Sequence, residues 1–239
     1  MGDGRGTTGE AVTGEAITGG AVTGEAVTGE AMTGAAVIIP AYNEEGRIGR
    51  VISAALGAKL VSEIIVVSDG STDGTAEVAR SLGVRVVELA RNRGKGGAMK
   101  AGLAATSAEV VAFIDADLVG LMPEHVDQLI RPVVSGEADA TLGVFEGGRT
   151  STTLAQKLTP GLSGQRAVRA ALVRGVPMEE AGFGVEVLLN RHLASCGARV
   201  KRVVLHGVSQ VMKEEKRGGL KGFTARLRMY WEIVSHMKG

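Results

Sequence analysis

The chain has 239 residues with 27 basic against 26 acidic side chains, one Cys and 44% hydrophobic residues, enough for one domain with a sizeable core. Its 36 Gly show no triplet period and Cys196 stands alone, which excludes a collagen-like chain and a disulfide-stapled one. The longest uncharged run, Ala31 to Asn43, is far shorter than the roughly 18 apolar residues of a membrane span. No basic start followed by an apolar stretch opens the chain, so a soluble cytoplasmic protein is expected.

Residues 1–34 repeat a five-residue unit, Thr8-Gly9-Glu10-Ala11-Val12, then Thr13-Gly14-Glu15-Ala16-Ile17 and onward. A period of five matches neither strand nor helix, so no face collects the apolar residues and a disordered tail is predicted. The tail carries −4, Asp3 and four Glu against Arg5, and leaves the rest at +5. From 35 to 239 a single domain follows.

In that domain short Val/Ile runs alternate with longer Ala/Leu/Glu/Arg stretches, the pattern of strands alternating with helices. Strands are predicted near 36–39, 63–68, 84–88, 109–114, 139–145 and 200–205. Helices are predicted near 44–57, 74–82, 96–106, 123–134, 166–174, 183–195 and 219–237. Nearly uninterrupted strands such as Ile64-Ile65-Val66-Val67 suit a parallel sheet covered on both faces, which gives an α/β, doubly wound, mostly parallel sheet.

Several predicted strands end in polar clusters: Pro40-Ala41-Tyr42-Asn43-Glu44-Glu45, Asp69-Gly70-Ser71-Thr72-Asp73-Gly74, and Asp115-Ala116-Asp117. Ligands of open α/β sheets bind outside the carboxyl ends of the strands, so these clusters describe one site. Asp115 and Asp117, one residue apart after an apolar strand, are hard oxygen ligands suited to Mg²⁺ or Mn²⁺ on a diphosphate. Asp73 can cap the helix after it while Asp69 faces the ligand. Arg93-Gly94-Lys95-Gly96-Gly97 sets a cation among small residues ahead of a helix, as phosphate oxygens require. It is neither G-x-x-x-x-G-K-[ST] nor G-x-G-x-x-G, so a P-loop ATPase and a dinucleotide-dependent dehydrogenase both fit poorly.

The stretch from Val37 to Leu118 resembles the family 2 glycosyltransferases, which share the glycosyltransferase A fold of nucleotide-diphospho-sugar transferases. The phrases that carry the likeness are Val37-Ile38-Ile39-Pro40-Ala41-Tyr42-Asn43-Glu44-Glu45, Asp69-Gly70-Ser71-Thr72-Asp73-Gly74-Thr75, Gly94-Lys95-Gly96 and Asp115-Ala116-Asp117-Leu118. The resemblance implies a nucleotide-sugar donor, UDP- or GDP-linked. Pro40, Tyr42 and Glu44 would lie near the nucleoside, Asp69 on the base, Lys95 near the diphosphate, Asp115 near the ribose and Asp117 on the metal. The second half is similar to glucosyl-3-phosphoglycerate synthases through Gly147-Gly148-Arg149-Thr150-Ser151, Leu162-Ser163-Gly164-Gln165-Arg166-Ala167 and Gly182-Phe183-Gly184-Val185-Glu186. That likeness implies a phosphorylated acceptor held by Arg149, Ser151, Ser163, Gly164 and Arg166, with Glu186 on the transferred hexose. The chain departs from those enzymes with Ser151 in place of Thr and Gln165 in place of the common Glu.

A metal-bound diphosphate is the better leaving group, because a cation stabilises the charge that develops on it. An inverting enzyme also needs a base on the acceptor hydroxyl, for which Glu186 and Glu180 are the candidates. His206 follows the strand Val203-Val204-Leu205, where family 2 relatives often place a third metal ligand, and is expected to join Asp117 on the metal. His125, His192, His236 and Cys196 read as structural.

From Arg199 to Gly239 ten Lys/Arg face three Glu, and the last helix sets Leu220, Phe223, Leu227, Tyr230, Trp231 and Val234 at helical spacing. Packing on the domain, a homodimer contact and docking to an anionic membrane, at the inner face of which a polyprenyl-phosphate acceptor would be met, all remain open for it. A sugar-phosphate nucleotidyltransferase would carry a Gly-rich basic loop after the first strand, which Pro40 to Gly46 is not. A non-catalytic nucleotide-binding module would not need Arg149 and Arg166, and nucleic-acid binding lacks interleaved aromatics.

Overall fold

The computed structural model describes residues 34–146, 163–181 and 184–210. The first half of these forms β1 (Ala35–Ala41), α1 (Glu45–Gly57), β2 (Val61–Ser68), α2 (Thr75–Ser81), β3 (Arg85–Glu88), α3 (Gly94–Ala104) and β4 (Val110–Phe113). The second forms β5 (Leu118–Val119), α4 (Pro123–Val134), β6 (Ala140–Glu146), β7 (Arg166–Arg169), α5 (Ala170–Val173), α6 (Val185–Ser195), β8 (Val200–His206) and β9 (Ser209–Gln210). The expected tail, all but Gly34, and the expected last helix over 219–237 lie outside the described residues.

β1 reads Ala-Ala-Val-Ile-Ile-Pro-Ala, and every residue but Pro40 is buried, as a central strand covered on both faces requires. Parallel β2 lies on one side, with Val37 opposite Ile64 and Ala41 opposite Ser68, and parallel β4 on the other, with Ile38 opposite Phe113. The full order is β3-β2-β1-β4-β7-β6-β8, and only β7 runs against its neighbours. This is the doubly wound, mostly parallel α/β sheet expected from the alternation of runs.

Successive side chains of a strand go to opposite faces, and β1 uses both. Ile39 packs with Ile48 and Ile52 of α1 and Leu129 and Ile130 of α4, while Ile38 packs with Met99 of α3, Phe113 and Leu189 of α6. Each fully buried side chain of this size contributes about 1.5–3 kcal/mol of transfer free energy. The buried residues of α1, Ile48, Val51, Ile52, Ala54 and Ala55, recur mainly at three and four, which is why this segment is a helix with one apolar stripe. On α3, Gly102 allows the helix close to the sheet, because a Cβ there would lie 2.3 Å from Ile38 Cγ2.

One sequence expectation fails here. Residues 166–174, rich in Ala and Arg, were expected to be helical, but Arg166–Arg169 is a strand and only Ala170–Val173 turns helical. Val168 pairs with Val111 and Ala167 with Ala112, and Arg166, Ala167 and Val168 are buried. Filling the gap between β4 and β6 outweighs the small helix preference of Ala and Arg. Elsewhere His125 accepts from the Met122 amide at the start of α4 through Nδ1 at 3.1 Å, and His192 Nε2 lies 2.8 Å from the Leu172 carbonyl, the structural parts expected of them. Among the described residues no helix is long and apolar enough to cross a membrane.

Candidate active site

The carboxyl ends of β2, β1 and β4 lie side by side, so the polar clusters that follow them meet at one edge of the sheet. The turn out of β1 passes through Asn43 at φ 54°, a left-handed conformation that Asn tolerates. This turn and the one after β2 are laced together. The Thr72 amide donates to Asn43 Oδ1 at 2.9 Å, the Glu44 amide to Thr75 Oγ1 at 2.9 Å and the Glu45 amide to Asp73 Oδ2 at 3.2 Å. In return the Gly74 amide donates to Glu45 Oε2 at 3.1 Å. The first turns of α1 and α2 are thus each satisfied by a carboxylate from the other loop. Asp73 also accepts from the Thr75 amide at 3.1 Å and its hydroxyl at 2.5 Å. Burial pushes the Asp73 carboxyl up, but these donors outweigh it and hold the group below its ordinary value.

Asp69, buried at the end of β2, accepts from the Arg93 amide at 2.7 Å and so ties its strand to the loop that opens α3. Of the residues expected near the nucleoside, Tyr42 is exposed and Pro40 half-buried beside it, while Glu44 is buried with its carboxylate 3.3 Å from Arg47 Nη1.

Lys95, in the first turn of α3, stands 2.6 Å from Asp115 Oδ1 and 2.7 Å from Glu186 Oε1. Glu186 comes from the first turn of α6, so one ammonium joins α3, the end of β4 and α6. Burial alone would lower the Lys95 ammonium, but the two carboxylates reverse it and hold the group above its ordinary value. Asp115 is raised, first by burial and then by the charges of Asp117 and Glu186, with Lys95 opposing them.

Behind this triad lies the segment that starts β7. Gln165 Nε2 donates to Asp115 Oδ2 at 3.2 Å, while its Oε1 accepts from the Asp115 amide at 3.2 Å. Arg166 is buried, donating to the Ser163 carbonyl at 2.8 Å and to Asn190 Oδ1 at 3.1 Å. Burial pushes its guanidinium below the ordinary value, with Glu186 and Asp115 opposing. The guanidinium expected on the acceptor is instead built into the interior, where it props the Ser163 loop against α6. Gly164 does reach Lys95 and Asp115, Ser163 accepts from the Gln165 amide and from Arg166, and Arg149 and Ser151 lie outside the described residues.

The last contribution comes from β9, which pairs with β5 so that Gln210 lies opposite Leu118, the residue after Asp117. Gln210 Nε2 donates to Asp117 Oδ1 at 2.9 Å and to Asp115 Oδ2 at 3.0 Å. His206, the expected partner of Asp117, ends β8 with its side chain 75% exposed and Nδ1 3.6 Å from Glu146 Oε2. The side chain from this part of the chain that meets the acid pair is Gln210, while His206 keeps to Glu146. Composition and spacing gave no reason to single it out, since the contact depends on two strands of two residues each. Among the described residues no three His, Cys, Asp or Glu side chains form a metal-binding group.

Residues 36–183 match the model of glycosyl transferase family 2, more than half the chain. The glucosyl-3-phosphoglycerate synthase of Mycobacterium tuberculosis (strain CDC 1551 / Oshkosh) is 35% identical over 189 residues, which cover 64% of this chain and 58% of that protein. The chain thus spans a little over half the length of this relative. The 4,4'-diaponeurosporenoate glycosyltransferase of Staphylococcus aureus (strain USA300) is 39% identical over 100 residues, 40% of this chain and 27% of that protein. A crystal structure of the M. tuberculosis synthase with Mn²⁺, UDP and glucosyl-3-phosphoglycerate superposes with a TM-score of 0.67 at 31% identity, over 85% of this chain and 79% of that one. With the match to the family model added to a sheet that gathers Asp69, Lys95, Asp115 and Asp117 at one edge, the chain belongs to glycosyl transferase family 2.

Proposed function

We propose that the protein transfers a hexose from a nucleoside-diphosphate sugar to a small phosphorylated acceptor in the presence of Mg²⁺ or Mn²⁺, with UDP-glucose and 3-phosphoglycerate as the pair to test first. The observation that carries this reading is the joint placement of Asp115, Asp117, Lys95 and Glu186 on three elements at one sheet edge. The likeness to a synthase solved with Mn²⁺, UDP and glucosyl-3-phosphoglycerate supports the choice of substrates.

The residues present fit a hard divalent cation, because Asp115 Oδ2 and Asp117 Oδ1 both reach Gln210 Nε2 and so lie close enough to share one ion through carboxylate oxygen. Asp117 would hold the cation, with Asp115 beside it. A cation bound there would supply positive charge to the departing diphosphate. Asp69 keeps one oxygen on the Arg93 amide, which fixes its carboxylate at the end of β2 for the base. Lys95 adds a second positive charge to the leaving group and is held in place by Asp115 and Glu186. Glu186 would contact the hexose from beside Lys95, and Arg149 and Ser151 would hold the acceptor phosphate.

The test is a transfer assay with UDP- and GDP-sugars against 3-phosphoglycerate and glycerol phosphate, with Mn²⁺, Mg²⁺ or chelator. Metal-dependent formation of a glycosylated acceptor that keeps its phosphate is expected. Turnover undiminished by chelator, or no transfer and no donor binding across the panel, would overturn the reading.

A further inference from the structure

We propose that Gln210 is itself a ligand of the divalent cation, through its side-chain oxygen, in the place where His206 was expected. This rests on the nucleotide-sugar reading above and goes one step into it. One atom, 2.9 Å from Asp117 Oδ1 and 3.0 Å from Asp115 Oδ2, lies at the point where an oxygen of each carboxylate meets, with Gln165 and Lys95 holding Asp115 from its other sides. The side chain that reaches this point is a carboxamide, whose oxygen and nitrogen are close to isosteric and exchange places by a half-turn about the last torsion. With carboxylates alone in front of it the amide must present N–H, since its oxygen would be repelled. With a cation between the carboxylates the same half-turn presents the oxygen, and no backbone need move.

The backbone is set for this by pairing. Leu118 opposite Gln210 and Val119 opposite Ser209 clamp β9 to the strand that directly follows Asp117. His206 has no such placement, because it closes β8 in register with Glu146 and keeps its ring by that carboxylate. A donor set of carboxylate, carboxamide and diphosphate oxygens is all hard, so Mn²⁺ should be favoured over Mg²⁺ less than at a site with imidazole.

The experiment uses the full chain with Mn²⁺ and UDP and reads the metal, not turnover. Electron spin-echo modulation of the Mn²⁺–UDP complex is expected to show no imidazole nitrogen in the wild type or in His206→Ala, and to show it in Gln210→His. Gln210→Ala should weaken Mn²⁺ binding in the presence of UDP on the order of 10- to 100-fold, the loss that removing even an outer-shell partner produces, while UDP binding under chelator is unchanged. Should Gln210→His fail to fold, Gln210→Glu serves. It keeps an oxygen and loses the N–H, so Mn²⁺ affinity with UDP should hold or rise, whereas a purely donating role predicts that it falls. Imidazole coupling in the wild type, or a Gln210→His complex that binds Mn²⁺–UDP without such coupling, would overturn the assignment and leave the nucleotide-sugar reading standing. Failure of the wild type to bind UDP with or without metal would instead overturn that reading and this one with it.

Discussion

Gly164 lies flat against Lys95: a Cβ on Gly164 would stand 2.3 Å from Lys95 Nζ and 2.6 Å from Asp115 Oδ2. The loop before β7 is therefore packed by its backbone onto an ion pair, and any side chain at this position must push the ammonium away from its carboxylates. Gly164→Ala should leave a folded protein whose donor KM rises at least about tenfold, a change of roughly 1.4 kcal/mol in binding. Steady-state kinetics against UDP-sugar concentration, with circular dichroism as the folding control, checks this. An unchanged donor KM would mean that the pair is not used in donor binding.

Asp117→Asn removes charge without removing volume. Transfer should fall by about 10² or more, the scale seen when one stabiliser of a developing charge is deleted, with the melting temperature within a few degrees of wild type. Turnover close to wild type at saturating metal would remove Asp117 from the reaction.

Arg166→Met breaks the guanidinium's bonds to the Ser163 carbonyl and Asn190 and leaves Glu186 and Asp115 without a nearby buried cation other than Lys95. Stability should drop by about 1–3 kcal/mol, the cost of leaving buried hydrogen-bond partners unsatisfied, and the KM of donor and acceptor should rise together. Arg149→Ala should raise the acceptor KM alone. A stable Arg166→Met protein defective only toward the acceptor would return Arg166 to the acceptor site.

Asp139, just before β6, receives Arg199 Nε and the Arg199 amide on Oδ2, both at 2.9 Å, and Nη2 on Oδ1 at 3.0 Å. These bonds hold its carboxyl well below the usual carboxylate range. A depressed carboxyl stabilises the fold above its unfolded value of about 3.9, and that contribution is lost as pH falls through the lower folded value. Arg199→Ala should therefore lower the urea midpoint at neutral pH, and the gap to wild type should close as the pH is taken below about 4. A gap that stays constant with pH would show that Arg199 acts through packing alone.

What the sequence made legible follows from physical range. The run Ile64 to Val67 and the apolar spacing of α1 are local signals, and the rule that ligands gather at strand ends then brings Asp69, Lys95, Asp115 and Asp117 together without further information. The strand at Arg166–Arg169 was hidden, because Arg-Ala-Val-Arg-Ala-Ala reads as helix until the space between β4 and β6 is known. Gln210 was hidden for a related reason. A two-residue strand has no periodicity, and an amide becomes a site residue only through the neighbour its pairing delivers it to. The pairing of Glu186 with Lys95, 91 positions apart, likewise needed α6 to be placed against α3.

The reversed direction of β7 divides the labour of the molecule. Because β7 runs against β4 and β6, it begins beside Asp115, toward the carboxyl ends of β4 and β6, and finishes at their amino ends, beside Asp139. A change in β7 therefore acts by position: ahead of its first residue, Gly164 and Gln165 bear directly on Lys95 and Asp115, whereas at its last, Arg169 bears on Asp139 at the opposite edge of the sheet.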